Sequence, residues 1–170
     1  MRILAISGSL RAASSNTALA PEGVEVILYE GLADLPHFNP DLDGGTAPPE
    51  VMAFRSRLAA SDGVLISSPE YAHGVPGAMK NAIDWVVSSG QIYQKPVALL
   101  NASMGATHAS LAETLTTADV ILEASVRVGL PTNRIGEAAI LAGPKLSGAL
   151  RTAVAALACA IEARRADVGA

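Results

Sequence analysis

The sequence holds one cysteine, Cys159, in 170 residues. A lone thiol allows neither an internal disulfide nor a zinc cage built from cysteines. In the alanine-rich stretch from Leu157 to Ile161 it reads as a small buried core residue. Charge is also scarce. Charged side chains make up 16% of the chain against 50% apolar ones, a lean surface for a monomer of this length, so part of it is expected to face another subunit. The formal net charge of -4 leaves no basic footprint of the kind that binding to a phosphate backbone requires, and nucleic acid is not an expected partner. Long hydrophobic runs are missing too. The first, Ile3 to Ile6, breaks at Ser7 and Gly8, too short for a signal-peptide core or a membrane span, so a soluble protein of the cytosol is expected, with no membrane partner. With no repeat, low-complexity segment or linker to divide it, the chain reads as one compact domain over residues 1–170.

What the sequence does hold is an alternation. Apolar runs bounded by Gly, Ser, Pro and Asn recur at Ile3 to Ile6, Val24 to Tyr29, Val64 to Ile66, Val97 to Leu100 and Val120 to Leu122, and each reads as a buried strand. Between and after them lie segments with helical spacing: Val51, Phe54 and Leu58; Met79, Ile83 and Val86; Leu111 and Leu115; then Leu146, Leu150, Val154, Leu157 and Ile161. Pro76 and Pro144 sit where the first turn of a helix tolerates proline. Strands alternating with helices predict a parallel sheet covered on both faces. The Pro-, Asp- and Gly-rich stretch from Leu35 to Pro49 is a long loop, and such loops often border a site.

One interval does not fit. Only Ser14 to Gly23 separates the first turn from the second strand, whereas a crossover between parallel strands normally needs a dozen residues or more. Either the chain carries a true deletion bridged by an extended link, or a helical segment of roughly five to ten residues is absent from this sequence. The abrupt stop of the helix-like start Ala18-Leu19-Ala20 favours the second, although Pro21-Glu22-Gly23 leads normally into the strand.

Two loops carry the chemistry. After the first strand comes Ser7-Gly8-Ser9-Leu10-Arg11-Ala12-Ala13-Ser14-Ser15-Asn16-Thr17, a glycine turn leading into hydroxyls, an arginine and an amide at a helix start. Backbone N–H groups there favour an anion, and Arg11 adds a charge-assisted bond. With no Gly-Lys-Ser/Thr ending and no spaced triple glycine, a single phosphate fits better than a triphosphate or a dinucleotide. The competing reading is an ordinary strand-to-helix turn with capping serines. After the third strand comes Ser67-Ser68-Pro69-Glu70-Tyr71-Ala72-His73-Gly74-Val75-Pro76-Gly77, whose glycines let the backbone turn closely past a planar ring. In a doubly wound sheet of order 2-1-3-4-5 a ligand crevice opens where strands one and three diverge, and both loops leave those strands. A third stretch, Asn101 to Ala106, follows strand four and can wall one edge of a ring, or be a plain small-residue loop.

These residues resemble a known family. Gly8-Ser9-Leu10-Arg11 with Ser14 and Asn16, then Ser68-Pro69-Glu70-Tyr71, Gly74-Val75-Pro76-Gly77 and Lys80-Asn81-Ala82-Ile83-Asp84-Trp85, look like the NADPH-dependent FMN reductases, a family that includes quinone, azo-dye and chromate reductases. The resemblance implies a flavodoxin-like three-layer α/β sandwich around a parallel five-stranded sheet of order 2-1-3-4-5. It implies FMN and NADPH (or NADH) as cofactors, a small-molecule electron acceptor, and assembly as a homodimer or homotetramer. By that resemblance Ser9, Arg11, Ser14, Ser15 and Asn16 bind the FMN phosphate. Pro69, Glu70, Tyr71 and Ala72 contact the isoalloxazine, and Ser103 and Gly105 lie in the third loop. The family usually has Asn where this chain has Ala72, so a side-chain hydrogen bond is lost there while backbone contacts survive.

Hydride transfer between nicotinamide and flavin needs stacked, aligned rings rather than a protein acid or base, so no catalytic side chain is assigned. His73 and His108 lie near the expected crevice and can deliver a proton to a quinone; His37 has less support. Tyr71, Trp85, Val86 and Val87 are read as a subunit contact. A flavodoxin-type electron carrier shares the fold and FMN but is usually far more acidic, and a flavin-free nucleotide or phosphosugar module shares the fold alone.

Overall fold

A computed structural model describes residues 1–8, 21–43, 45, 47–69, 74–101, 109–116, 121–127 and 144–168. Strands β1 (Arg2–Ser7), β2 (Glu25–Tyr29), β3 (Gly63–Ser68), β4 (Pro96–Asn101) and β5 (Ile121–Arg127) form one five-stranded sheet in the order β2-β1-β3-β4-β5. Every pairing is parallel, in registers such as Ile3↔Val26, Ile3↔Gly63 and Val64↔Val97. Strand β5 runs further than its apolar start announced, through Glu123, Ser125 and Arg127. It sits at the sheet edge. Its pairing with β4 shifts register between Val97 and Ala98, as an extra residue in one strand requires.

Helices α1 (Pro49–Ala59), α2 (Gly77–Val87) and α3 (Ala109–Thr116) cover one face. Their apolar stripes, Val51-Phe54-Leu58, Met79-Ile83-Val86 and Leu111-Leu115, are buried against Leu4, Ile6, Val64, Ile66, Val97 and Leu99. Helix α4 (Pro144–Val168), with Pro144 as its first residue, covers the other face, where Leu150, Val154, Leu157 and Ile161 meet Ile3, Ala5, Leu65, Ala98 and Leu100. Pro76 caps α2 one residue before it begins. Val24 N–H donates to the Pro21 carbonyl at 3.1 Å while Gly23 takes φ 77, a turn that glycine permits and that delivers the chain into β2. Residues 9–20, where an abbreviated first helix is expected from the sequence, lie outside the described residues.

Two expectations about exposure are corrected. Cys159 is exposed: it lies two residues from Leu157 and from Ile161, about 200° around the helix from the stripe that faces the sheet. Trp85 and Val86 are 0% and 2% exposed and belong to the core, so of that expected contact set only Val87 among the described residues presents a surface.

The long loop is also not free. The Asn81 amide donates to the Pro36 carbonyl at 2.9 Å and accepts from Phe38 N–H at 2.8 Å. Trp85 Nε1 donates to the same Pro36 carbonyl at 2.8 Å, and its ring meets Phe38 edge-on at 5.0 Å. Further along, buried Arg55 ties α1 to this segment and to α2, bonding Asp43 Oδ1 at 2.5 Å and the Trp85 carbonyl. Ser88 closes the node on Asp43. The stretch from Leu35 to Asp43 is therefore a strap along α2, ending near that helix's carboxyl terminus.

Candidate active site

The carboxyl ends of β1, β3 and β4 lie side by side, because β1 is flanked by β2 on one side and β3 on the other. In the chain β1 is followed by β2 on one side and β2 by β3 on the other, so the connections diverge between β1 and β3, the switch point at which open α/β sheets bind ligands beyond the strand ends. Among the described residues, Gly8, Ser67, Ser68 and Pro69 stand at that point. Gly8 N–H donates to the Ser67 carbonyl at 2.8 Å, carrying the contact between β1 and β3 one residue past the strand. A Cβ at Gly8 would stand 2.5 Å from Ser68 Oγ. Only glycine lets the ends of β1 and β3 stay this close. Ser68 is completely buried, and its hydroxyl donates to the Pro69 carbonyl at 3.0 Å, fixing the first step of the second loop.

Beyond Pro76, α2 begins with no side-chain cap, so its first-turn N–H groups and the positive end of its dipole stand at the same edge of the sheet. An anion or a developing negative charge is favoured there. At the end of β2, the Tyr29 hydroxyl donates to the Gly31 carbonyl at 3.3 Å; burial, then the Asp34 carboxylate, hold it above the usual phenol range. Among the described residues no His, Cys, Asp and Glu cluster could hold a metal ion.

Pro69 is the one residue of the expected site that the structure describes, half-buried at the exit of β3. Ser9, Arg11, Ser14, Ser15, Asn16, Glu70, Tyr71, Ala72, Ser103 and Gly105, with His73 and His108, lie outside the described residues. His37 is exposed on the strap. The Gly8–Ser68 contact was not foreseen; its signal was a glycine ending one strand and a small hydroxyl ending its neighbour. Asn81 and Trp85, four residues apart on one face of α2, carry the strap.

A family model described as NADPH-dependent FMN reductase matches residues 1–127. The chain belongs to that family. Among curated relatives, the NAD(P)H-dependent FMN reductase of Pseudomonas aeruginosa is 37% identical over 114 residues, covering 62% of this chain and 61% of that protein. An NADPH:quinone oxidoreductase of Arabidopsis thaliana is 35% identical over 116 residues, covering 62% and 59%. The chain thus spans about three fifths of the length of these relatives. Among solved structures, the flavoenzyme NAD(P)H:(acceptor) oxidoreductase of Paracoccus denitrificans superposes with a TM-score of 0.67 at 27% identity, covering 92% of this chain and 96% of that one. The reductase family's flavodoxin-like sandwich is the fold found here.

Proposed function

We propose that the chain is an NAD(P)H-dependent FMN reductase that passes hydride from a nicotinamide, through the flavin, to small acceptors such as free flavin, quinones, azo compounds or chromate. The observation that carries this reading is the contact of Gly8 with Ser67 and Ser68, which joins the ends of the two strands from which the hydroxyl-rich and glycine-rich segments of the sequence leave, in a chain of this family. Bound FMN supplies the two-electron chemistry.

In this reading the chain's own residues bind and orient. Ser9, Arg11, Ser14, Ser15 and Asn16 take the phosphate; Pro69, Glu70, Tyr71 and Ala72 hold the ring, with Ser103 and Gly105 at its edge. The uncapped start of α2 favours the negative charge of the reduced state. In this reading the protein is a single domain over residues 1–170 that works in the cytosol; no helix among the described residues is long and apolar enough to cross a membrane. The low charged fraction of 16% supports a homodimer or homotetramer. Purified protein is expected to be yellow, or to become so with added FMN, and to oxidise NADPH steadily with a quinone present. FMN binding without turnover would identify an electron carrier instead, and no flavin binding would end the reading.

A further inference from the structure

An open cavity of about 440 Å³ lies at the opposite edge of the sheet, between the starts of β3 and β4 and the last turns of α4, away from the strand ends where the two loops leave.

Its wall is cationic. Among the described residues lining it, Lys95, Arg164 and Arg165 stand against one carboxylate, Asp62, and Arg165 already pairs with that carboxylate at 2.8 Å. Arg164 is held by a neutral group, the Gln94 amide oxygen, at 2.9 Å. The Lys95 ammonium donates to the Leu58 and Ser61 carbonyls at 2.5 and 2.6 Å. Burial lowers its pKa, and the Coulombic pull of Asp62 restores only part; an anion beside it would restore more.

The backbone is strained at the same place. Gln94 has φ 49, the left-handed region that side chains disfavour, and such strain persists where the surroundings over-determine it. Its side chain meets both Arg164 and the Tyr93 hydroxyl. The remaining walls are apolar. Pro96 and Ile161 are buried, Tyr93 is 58% exposed, and Ile161 seats so closely over Gly63 that a Cβ there would stand 2.6 Å from its Cδ1.

We propose that this cavity binds a small organic oxyanion, its charged end on Arg164 and Lys95 and its planar body against Tyr93 and Pro96. Guanidinium and ammonium groups with neutral partners bind phosphate monoesters and carboxylates alike, and an aromatic ring beside them selects a ligand that is more than an ion. The site is independent of the flavin reading.

Calorimetric titration of the full chain with phenyl phosphate, benzoate and inorganic phosphate tests it, with and without saturating FMN. Saturable binding of phenyl phosphate or benzoate is expected, stronger than that of inorganic phosphate and unchanged by FMN. Arg164→Gln should weaken it about tenfold, and Tyr93→Ala, at an exposed position, should reduce the preference for the aromatic ligands. Absence of saturable heat, displacement by FMN, or affinity untouched by Arg164→Gln in a folded variant overturns the proposal. Whether the phosphate or the carboxylate binds more tightly identifies the ligand class.

Discussion

At the scale of single residues, the crevice depends on an atom that is not there. Gly8→Ala would set a methyl group 2.5 Å from Ser68 Oγ and 3.0 Å from its Cβ, so the two loops must separate. FMN affinity is expected to fall at least tenfold, a loss of about 1.4 kcal/mol, and Ser68→Gly in the same chain should recover part of it; a flavin-fluorescence titration measures both. Arg11→Glu tests the phosphate assignment from the other side, because a like charge beside the phosphate should weaken binding markedly. An unchanged dissociation constant would remove Arg11 from the site. Asp62 gives a pH dependence. Burial raises its pKa, but the Arg2 N–H and the Arg165 guanidinium outweigh this and leave it lowered. A carboxylate depressed in the folded state adds stability that is present above its ordinary value near 4 and lost as pH falls through the folded one. Asp62→Asn should therefore flatten the acid limb of a denaturation-against-pH curve and leave the neutral region with a lower plateau.

At the scale of elements, the strap is the part that sequence periodicity could not show. Strands such as Ile3 to Ile6 and Val64 to Ile66 were legible because a doubly covered sheet demands continuous apolar runs, and α1 to α4 because each repeats its apolar stripe. Trp85 looked like a surface anchor because a large aromatic after a ligand loop fits an interface equally well; its burial is set by Pro36, 49 residues away in the chain. Arg55 sits between Phe54 and Leu58 in the sequence like any surface cation, and only the fold shows its guanidinium buried on Asp43. The residues expected to touch flavin were read from motif and resemblance, and ten of them lie outside the described residues. Trp85→Phe removes one hydrogen bond and should cost about 1 kcal/mol, whereas Arg55→Met removes the guanidinium from the Asp43 carboxylate and the Trp85 carbonyl and should cost about 3 kcal/mol. Urea denaturation followed by circular dichroism distinguishes the two. The alignment with the Pseudomonas aeruginosa relative runs over 114 residues yet takes up 62% of a chain of 170, fewer positions than the alignment is long. The relative therefore carries residues that this chain lacks. If the short first crossover reflects a helical segment absent from this sequence, the mass found by intact mass spectrometry is expected to exceed 17.3 kDa by roughly five to ten residues; a matching mass would establish a true deletion.

At the scale of the whole molecule, the exposed side chains Leu42, Met52 and Val87 lie on elements joined by the Asp43–Arg55–Ser88 node, and they replace Trp85 and Val86 as the contact expected to bury apolar surface between copies. Light scattering at micromolar concentration should give a dimer or tetramer, and Met52→Glu with Val87→Glu should shift it toward monomer without unfolding, since both residues are at least 49% exposed. A monomeric mass for the unmodified chain would end that expectation.

The family match stops at residue 127, yet Leu65, Ala98 and Leu100 of the central strands are covered by α4, which begins at Pro144. During synthesis the sheet's strands all leave the ribosome before the helix that shields this face. A nascent chain whose first 130 or so residues have emerged from the exit tunnel would present an open apolar sheet, a state prone to capture by chaperones or by other chains. Docking of the 25-residue helix α4 is therefore expected to close this face last among the described elements, which a protease-resistance assay on ribosome-stalled chains, extended by a linker that fills the exit tunnel, would detect as a late gain.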